Sequence, residues 1–170
     1  MRVAVLFFLL TQSVQGEQLW FNDAGSHVID GQNLDARNVF VVNGTTLTLQ
    51  TGRITAPDSG DDGEDAVRIE DATFVAMNGT ISGGLGVGGT GVTVSTTRDS
   101  DFPSTATFHA GVEVYGGDAT REETTKGGDA IQVLHSGSRA VINGGTFTPG
   151  KGKIIIHFLF CHANIPSMCG

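Results

Sequence analysis

The chain has 170 residues and carries 10 Lys and Arg against 18 Asp and Glu, a formal net charge of −8. Because this charge repels nucleic acids and anionic membrane surfaces over long range, we expect neither as a partner. Gly is frequent at 25 residues, whereas Pro occurs only four times and Cys twice, which excludes a collagen-like chain, a Pro-rich linker and a disulfide-dense scaffold.

The N-terminus has the pattern of a secretory leader. Met1 and Arg2 give a positive start, residues 3–10 are all apolar, and the small Gly16 precedes a polar segment. The pattern predicts a signal peptide over residues 1–16 and a secreted, extracellular protein, with a buried N-terminal strand as the alternative. The apolar run is too short to cross a bilayer and no longer run follows it, so we expect no membrane span.

After the leader, short alternating runs of apolar and polar residues are separated by Gly-rich turns, which is typical of β-strands. Residues 19–21 are predicted to cap an open end, and residues 28–30 to begin an incomplete first unit. Four units of three short strands follow. Without their polar insertions these units are roughly 23 residues long, within the range of solenoid repeats.

Alternation along the strands predicts which side chains face inwards. In chain order the four units contribute Val39, Val41, Leu47, Leu49 and Ile54; Val67, Ile69, Val75, Met77 and Ile81; Val92, Val94, Ala106, Phe108 and Val114; and Ile131, Val133, Ala140, Ile142 and Phe147. One unit cannot bury its apolar faces alone. Stacking each strand in parallel on its equivalent in the next unit buries them, with like residues above one another.

The recurring pattern best seen at residues 142–147, Ile-Asn-Gly-Gly-Thr-Phe, resembles secreted right-handed parallel β-helix proteins of the pectate-lyase-like superfamily. The resemblance covers residues 28–150 and implies an architecture rather than one activity, since that superfamily includes lyases, hydrolases, epimerases and non-enzymatic surface proteins. We predict an all-β protein, a right-handed parallel β-helix of about four to five short coils over residues 17–150. An antiparallel sandwich or jelly roll is the rival fold, but it does not explain why the pattern returns in register.

The C-terminal segment, residues 151–170, starts like a further coil and stops without a cap. We predict a truncated or aberrant coil, with an edge covered by a partner or by self-association as the alternative, because an uncapped edge exposes unpaired backbone groups. If this tail is native, Cys161 and Cys169 predict a disulfide in an exported chain. The other interpretation is a metal cluster that includes His157 and His162, although the spacing fits no standard zinc pattern.

Four polar residues fall just after the second strand of the units, and we predict that they form a structural hydrogen-bonding ladder: Gln50, Asn78, His109 and Asn143. Catalysis by His109 would require it to leave this column and meet a carboxylate. Asn43 and Asn78 each begin an Asn-Gly-Thr glycosylation pattern, and Asn43 is the better candidate because it falls at an exposed turn. In an ordinary bacterium neither would be modified.

An acidic segment, residues 58–65, carries five carboxylates. Hard oxygen ligands on a flexible loop suit Ca²⁺, and the resemblance to pectate-lyase-like enzymes implies a calcium ion that bridges acidic sugars. The predicted ligands are Asp58, Asp61 and Asp62, and the alternative is a solvated acidic turn. The spacing matches neither an EF-hand nor the glycine-rich nonapeptide repeat. No cofactor is required by the sequence.

Hydroxyl side chains also recur on outward positions. Thr46, Thr48, Thr105 and Thr107 are similar to the regular hydroxyl array of an ice-binding face. Ala76 and Arg139, however, are predicted at equivalent outward positions and interrupt the array.

No outward face gathers the paired carboxylates of a hydrolase or a base beside an acidic-sugar site, so the catalytic residues stay unknown. We expect an exported, non-catalytic β-helix module of the cell-surface, wall or matrix type, associated with an acidic or neutral polysaccharide. The alternative is a fragment of a carbohydrate-active enzyme, a polysaccharide lyase or glycoside hydrolase. Its site would lie on missing coils or on the loops 58–65 and 118–128.

Overall fold

The computed structural model describes residues 17–58, 63–97, 102–120 and 126–151. Within these ranges the chain forms eleven β-strands and no helix, and therefore no helix suited to crossing a membrane. The strands are β1 (Glu17–Phe21), β2 (Ser26–Leu34), β3 (Arg37–Val42), β4 (Thr46–Thr55), β5 (Val67–Glu70), β6 (Thr73–Ser82), β7 (Val92–Ser95), β8 (Thr105–Tyr115), β9 (Ile131–Leu134), β10 (Arg139–Ile142) and β11 (Thr146–Thr148). The predicted signal peptide, residues 1–16, and the tail after Lys151, with both Cys, lie outside the described residues.

The described strands pair in parallel throughout and form two sheets. The first sheet has the order β1-β3-β5-β7-β9, and the second has the order β10-β8-β6-β4-β2, with β11 also paired to β8. Along the chain, strands of the two sheets alternate, so each repeat unit places a strand in both sheets. This arrangement excludes the antiparallel sandwich and is compatible with a parallel β-helix-like architecture.

The strand register confirms the predicted start of each unit. Val39, Val67, Val92 and Ile131 are paired in sequence across the first sheet. The predicted cap at residues 19–21 is wrong, because these residues belong to β1, which pairs with β3 and places Leu19 beside Val39. Side chains alternate between the two faces of a strand, so Leu19 and Phe21 share one face of β1. The segment therefore extends the first sheet by one strand instead of covering its end.

The core lies between the inner faces of the two sheets. Thirteen of the predicted inward side chains are fully buried or nearly so: Val39, Val41, Leu47, Leu49, Ile54, Val67, Ile69, Ile81, Val92, Val94, Ala106, Phe108 and Val114. Phe108 forms edge-to-face contacts with Phe74 and Phe147, at ring-centroid distances of 6.4 Å and 5.4 Å. Burial of each such large apolar side chain contributes about 1.5–3 kcal/mol before the loss of chain entropy.

The predicted inward set is wrong by one residue in the first half of β6. Phe74 and Ala76 are fully buried, whereas Met77 is 43% exposed and Val75 is only partly buried. The register shows why, since Ala76 is paired with Leu49 on one side and Phe108 on the other. Because side chains alternate between faces, a shift by one residue moves the whole segment to the opposite face.

Two predicted inward residues of the last unit are also exposed. Val133 is 39% exposed and Ile142 is 57% exposed. They lie on β9 and β10, which stand at the ends of the two sheets among the described strands. An edge strand has neighbours on one side only, so its inward side chains are covered on one side only.

The predicted second and third strands of a unit are joined in one long, bent strand in β4, β6 and β8. In β6 the bend falls at Gly79, whose φ of 124° lies in the region that favours glycine. A Cβ on Gly79 would overlap the carbonyl oxygen of Gly52, its counterpart at the bend of β4. The bends therefore stack on one another and give the second sheet two outward-facing parts.

Candidate functional site

The outer face of the first sheet brings together side chains that are far apart in sequence. Pairing between strands places Trp20, Phe40, Arg68, Thr93 and Gln132 in one row across the five strands. Thr93 is only 2% exposed and donates its hydroxyl to Asp65, so it separates the exposed part formed by Trp20, Phe40 and Arg68 from Gln132. We call this row the outer track. Strands in a sheet are ~4.8 Å apart, so the track extends over roughly 20 Å perpendicular to the strands.

One end of the outer track is aromatic. The rings of Trp20 and Phe40 are stacked, with centroids 4.3 Å apart and planes at 9°. Trp20 remains 51% exposed, and its indole Nε1 donates a hydrogen bond to the side-chain oxygen of Gln18 at 3.3 Å. An exposed aromatic ring held in place by a second ring presents a rigid apolar surface with a polar edge.

Beside Arg68 the outer face contains a groove of about 330 Å³, lined by Arg68, Glu70, Ser95, Thr96, Thr97 and His135. Three of its side chains, those of Arg68, Glu70 and His135, make no hydrogen bond or ion pair with any other described residue. Guanidinium groups donate hydrogen bonds, carboxylates accept them, and an imidazole can do either. The groove therefore offers both kinds of hydrogen-bonding group to a ligand.

A network of hydrogen bonds holds one wall of this groove. The carboxylate of Asp71 accepts hydrogen bonds from the Thr97 amide at 2.9 Å and from the Thr97 hydroxyl at 2.6 Å. The Ser104 hydroxyl donates to the Ser95 carbonyl and accepts a bond from the Asp71 amide at 2.7 Å. Asp71 itself turns the chain between β5 and β6 with a φ of 53°. These contacts fix the groove before any ligand enters.

The three groups with a displaced pKa among the described residues, Asp23, Arg53 and Tyr115, lie away from the groove. The carboxylate of Asp35, which accepts hydrogen bonds from Arg53, raises the pKa of that guanidinium. The hydrogen bond from the Tyr115 hydroxyl to Glu113 raises the pKa of Tyr115 above its ordinary value of 10.0. Neither pair lines the groove, so both are interpreted as surface contacts between or along strands.

The predicted calcium ligands are only partly described. Asp61 and Asp62 lie outside the described residues. Asp58 accepts a hydrogen bond from the Leu85 amide at 3.0 Å and so joins two successive loops. Asp65, at the end of the acidic segment, accepts bonds from the Thr90 amide and the Thr93 hydroxyl. Among the described residues no three His, Cys, Asp or Glu side chains gather as metal ligands, and the calcium site stays a prediction.

The strand register does not align all four residues of the predicted ladder, and the ladder stays a prediction. Asn78 is paired with Gly111 rather than with His109, because the register of β6 and β8 shifts between Ala76 and Asn78. In the described part of the chain no side-chain hydrogen bond joins any two of Gln50, Asn78, His109 and Asn143. His109 is half-buried and has no carboxylate partner among the described residues.

Both candidate glycosylation residues are exposed. Asn43 lies in the turn between β3 and β4 with a φ of 56°, as its sequence context predicts. Asn78 lies in the bend of β6. The hydroxyl of Thr45, two residues after Asn43, accepts a hydrogen bond from the Ala24 amide at 3.1 Å, whereas Thr80 has no such bond within the described ranges. Glycosylation stays a prediction at both positions.

Sequence reasoning missed the groove as a site. It identified Arg68 as an outward residue and Trp20 as a rare aromatic residue, but it did not place Trp20 in a strand. His135 and residues 95–97 come from turns, whose side-chain directions do not follow from alternation. If residues 17–21 are recognised as a strand, the parallel register aligns Trp20 with Phe40 and Phe40 with Arg68. This signal could have found the row.

The described molecule is thus an all-β protein of parallel sheets with a partly aromatic, partly charged outer track. Comparison with protein-family models, with curated proteins and with solved structures gave no match for this chain.

Proposed function

We propose that this chain is an exported, non-catalytic module with a right-handed parallel β-helix of the pectate-lyase-like type, which binds a polysaccharide of a cell surface, wall or matrix along the outer track. The observation that carries the proposal is the row of Trp20, Phe40 and Arg68 on neighbouring strands, continued by the groove. An exposed aromatic ring next to hydrogen-bonding side chains suits a sugar, which has apolar ring faces and polar hydroxyl groups.

The proximity of Arg68 and Glu70, which carry opposite charges, favours a neutral polysaccharide over an acidic one. The two residues are on the same side of β5, two positions apart, so their side chains lie side by side. Arg68 can donate to a sugar hydroxyl while Glu70 accepts from the next one. In addition, the net charge of −8 repels acidic chains over long range.

The second candidate is a fragment of a carbohydrate-active enzyme, and Arg68 favours it. An arginine without a hydrogen-bond partner among the described residues, facing a groove, can hold the carboxylate of an acidic sugar, the substrate class of a polysaccharide lyase. A glycoside hydrolase would need two facing carboxylates, and Glu70 is the one carboxylate among the lining residues named above. Lyase chemistry is therefore the form of this alternative that the groove supports.

The binding test uses native affinity electrophoresis of the full chain without its leader, in gels that contain β-glucan, xylan, mannan or polygalacturonate. We expect a neutral polysaccharide to retard the protein and Trp20→Ala or Arg68→Ala to abolish the retardation. Thr80→Ala, which changes an outward residue of β6 on another surface, is the matched control. Circular dichroism verifies that each variant is folded.

Unretarded migration of the folded protein in all four gels would remove support for the binding proposal. Retardation that survives both Trp20→Ala and Arg68→Ala would place the binding surface elsewhere. To test the enzyme alternative, the chain is incubated with polygalacturonate and calcium, and the unsaturated product is followed by its ultraviolet absorbance. Sustained turnover that is lost in Arg68→Ala would replace the non-catalytic proposal by a lyase.

A further inference from the structure

The first part of the second sheet presents a second outward surface, separate from the outer track. Its residues form two rows across β2, β4, β6 and β8, opposite the buried side chains of the same strands. We call it the threonine face. One row contains Ser26, Thr46, Thr73 and Thr105, and the other contains Val28, Thr48, Val75 and Thr107.

The corrected register of β6 completes this face. Ala76, which was predicted to interrupt the rows, is fully buried, and Thr73 and Val75 occupy the outward positions instead. Arg139 does follow Thr105 in the first row, on β10, so the uncharged array ends after four strands. The result is a block of eight side chains with Ser or Thr in one row and alternating Val and Thr in the other.

The hydroxyl groups of this face are not used for hydrogen bonds within the described part of the chain. None of Ser26, Thr46, Thr48, Thr73, Thr105 and Thr107 makes a side-chain hydrogen bond to another described residue. By contrast, the hydroxyls of Thr45, Thr51, Thr90, Thr93, Thr96 and Thr97 are all bonded within the protein. The hydroxyls of the threonine face are therefore available to water or to a ligand.

Strand propensity by itself explains only part of the pattern. Thr and Val are favoured in strands, which accounts for β-branched residues on an outward face. Beyond their bends, however, the same strands carry charged residues, with Arg53 on β4 and Glu113 on β8. The chain has 28 charged side chains, and none of them occupies these eight neighbouring outward positions. The absence of charge is therefore a property of this face.

The geometry of the array fits a regular lattice of water. Its rows repeat at ~4.8 Å from strand to strand and at ~6.6 Å along each strand, because alternate residues share a face. The strand-to-strand distance is close to the shorter oxygen–oxygen repeat on ice surfaces, and the distance along the strand is somewhat shorter than the longer repeat. β-Branched side chains have restricted rotation about χ1, so their hydroxyl and methyl groups keep these positions without a large loss of entropy on binding.

We propose that the threonine face binds the surface of ice. The hydroxyl groups take the place of lattice water and hydrogen-bond to the water layer, while the methyl groups order the water between them. The surface has no charge that would need counterions or a strongly bound hydration shell, so it complements an electrically neutral lattice. This inference does not depend on polysaccharide binding, which uses the first sheet.

The experiment measures how much of the protein is incorporated when ice grows slowly from a dilute solution of the full chain without its leader. We expect the wild type to enter the ice and Thr73→Lys to remain in the liquid, because an ammonium group at the centre of the array keeps its own hydration shell. Thr80→Lys is the matched control, since Thr80 lies on the same strand beyond the bend. We expect it to enter the ice like the wild type.

Thr73→Val provides a second variant, because it keeps the β-branched shape of the strand residue and removes only a hydroxyl group. We expect its incorporation to be reduced. The proposal is overturned if the folded wild type stays in the liquid, or if Thr80→Lys loses incorporation as Thr73→Lys does. Sedimentation of the same samples adds one more test: a wild-type dimer that dissociates in Thr73→Lys, without ice incorporation by the wild type, would identify the face as a self-association surface instead.

Discussion

Gly117 packs backbone to backbone against Gly84, the residue in the equivalent position of the preceding unit. A Cβ on Gly117 would overlap the carbonyl oxygen of Gly84. The amide of Gly117 donates a hydrogen bond of 2.7 Å to the Gly89 carbonyl, which ties it to the loop that leads into β7. At this point the chain leaves the second sheet, and the close approach keeps successive turns stacked.

Substitution of this glycine is expected to be costly. Gly117→Ala should lower the free energy of unfolding by about 1–3 kcal/mol, because the obstructing atom belongs to the backbone and cannot move aside alone. The matched control is Gly111→Ala, where the nearest atom is the end of the flexible Asn78 side chain. Urea unfolding of both variants measures the difference. Equal stability of the two variants would contradict the packing described for Gly117.

The corrected register of β6 makes a prediction about the core. Phe108→Ala should lower the free energy of unfolding by about 3–5 kcal/mol, because Phe108 is fully buried and contacts Phe74 and Phe147. Met77→Ala should cost less than about 1 kcal/mol, since Met77 is 43% exposed. Thermal or urea unfolding measures both. If Met77→Ala lowered the free energy of unfolding as much as Phe108→Ala, Met77 would face inwards, as the sequence predicts.

The turn before β2 contains a carboxylate whose titration reports on a defined contact. The hydrogen bond from His27, followed by the one from the Gly25 amide, lowers the pKa of Asp23 below its ordinary value of 3.8. A carboxylate with a lowered folded-state pKa stabilises the fold above its unfolded-state pKa, and this contribution is lost as the pH falls through the folded-state pKa. We therefore expect stability to decline as solutions are acidified below about pH 4.

His27→Leu tests this contact directly. We expect NMR titration to show that the pKa of Asp23 rises towards 3.8 but stays below it, because the Gly25 amide still donates to the carboxylate. Ser26→Ala leaves both hydrogen bonds in place and serves as the control. An unchanged pKa of Asp23 in His27→Leu would show that the side-chain bond is not the dominant cause.

The aromatic stack of the outer track gives a spectroscopic prediction. The chain has one Trp, so its fluorescence reports on Trp20 alone. Phe40→Ala should shift the emission to longer wavelength, because water replaces the ring that covers one face of the indole. Val42→Ala, on the same strand, should leave the emission maximum unchanged. If both variants shifted the emission maximum equally, the shift would be caused by a general change in β3 and not by loss of the stacked ring.

Much of the fold was predictable because strand alternation has a period of two and the units repeat. The positions of Val39, Val67, Val92 and Ile131 follow from that pattern, and the strand register confirms them. The error at Met77 arose at a bend, where the number of residues between Leu49 and Arg53 differs from that between Phe108 and Glu113. The Asn-Gly motif lies at the bend itself, so it does not show whether the extra residue of a longer strand comes before the bend or after it.

The candidate sites were less predictable than the fold. The sequence predicts a cap at Trp20 and therefore shows neither its stacking on Phe40 nor its place in the same row as Arg68, two strands away. The threonine face was recognised only in part, since the misaligned β6 placed Ala76 where Thr73 and Val75 lie. Both surfaces are made of side chains from several neighbouring strands. If the register of one strand is predicted wrongly by one residue, its side chains are assigned to the opposite face and the row on the surface is not recognised.

The amino-acid sequence by itself determined the strand type, the repeat and most of the core, since these depend on local alternation of apolar and polar side chains. Only the tertiary structure decided which residues lie beside one another on the outer surfaces. The reason is that pairing partners come from different units, and their alignment is set by how the bends and loops between strands let the apolar side chains fit together inside.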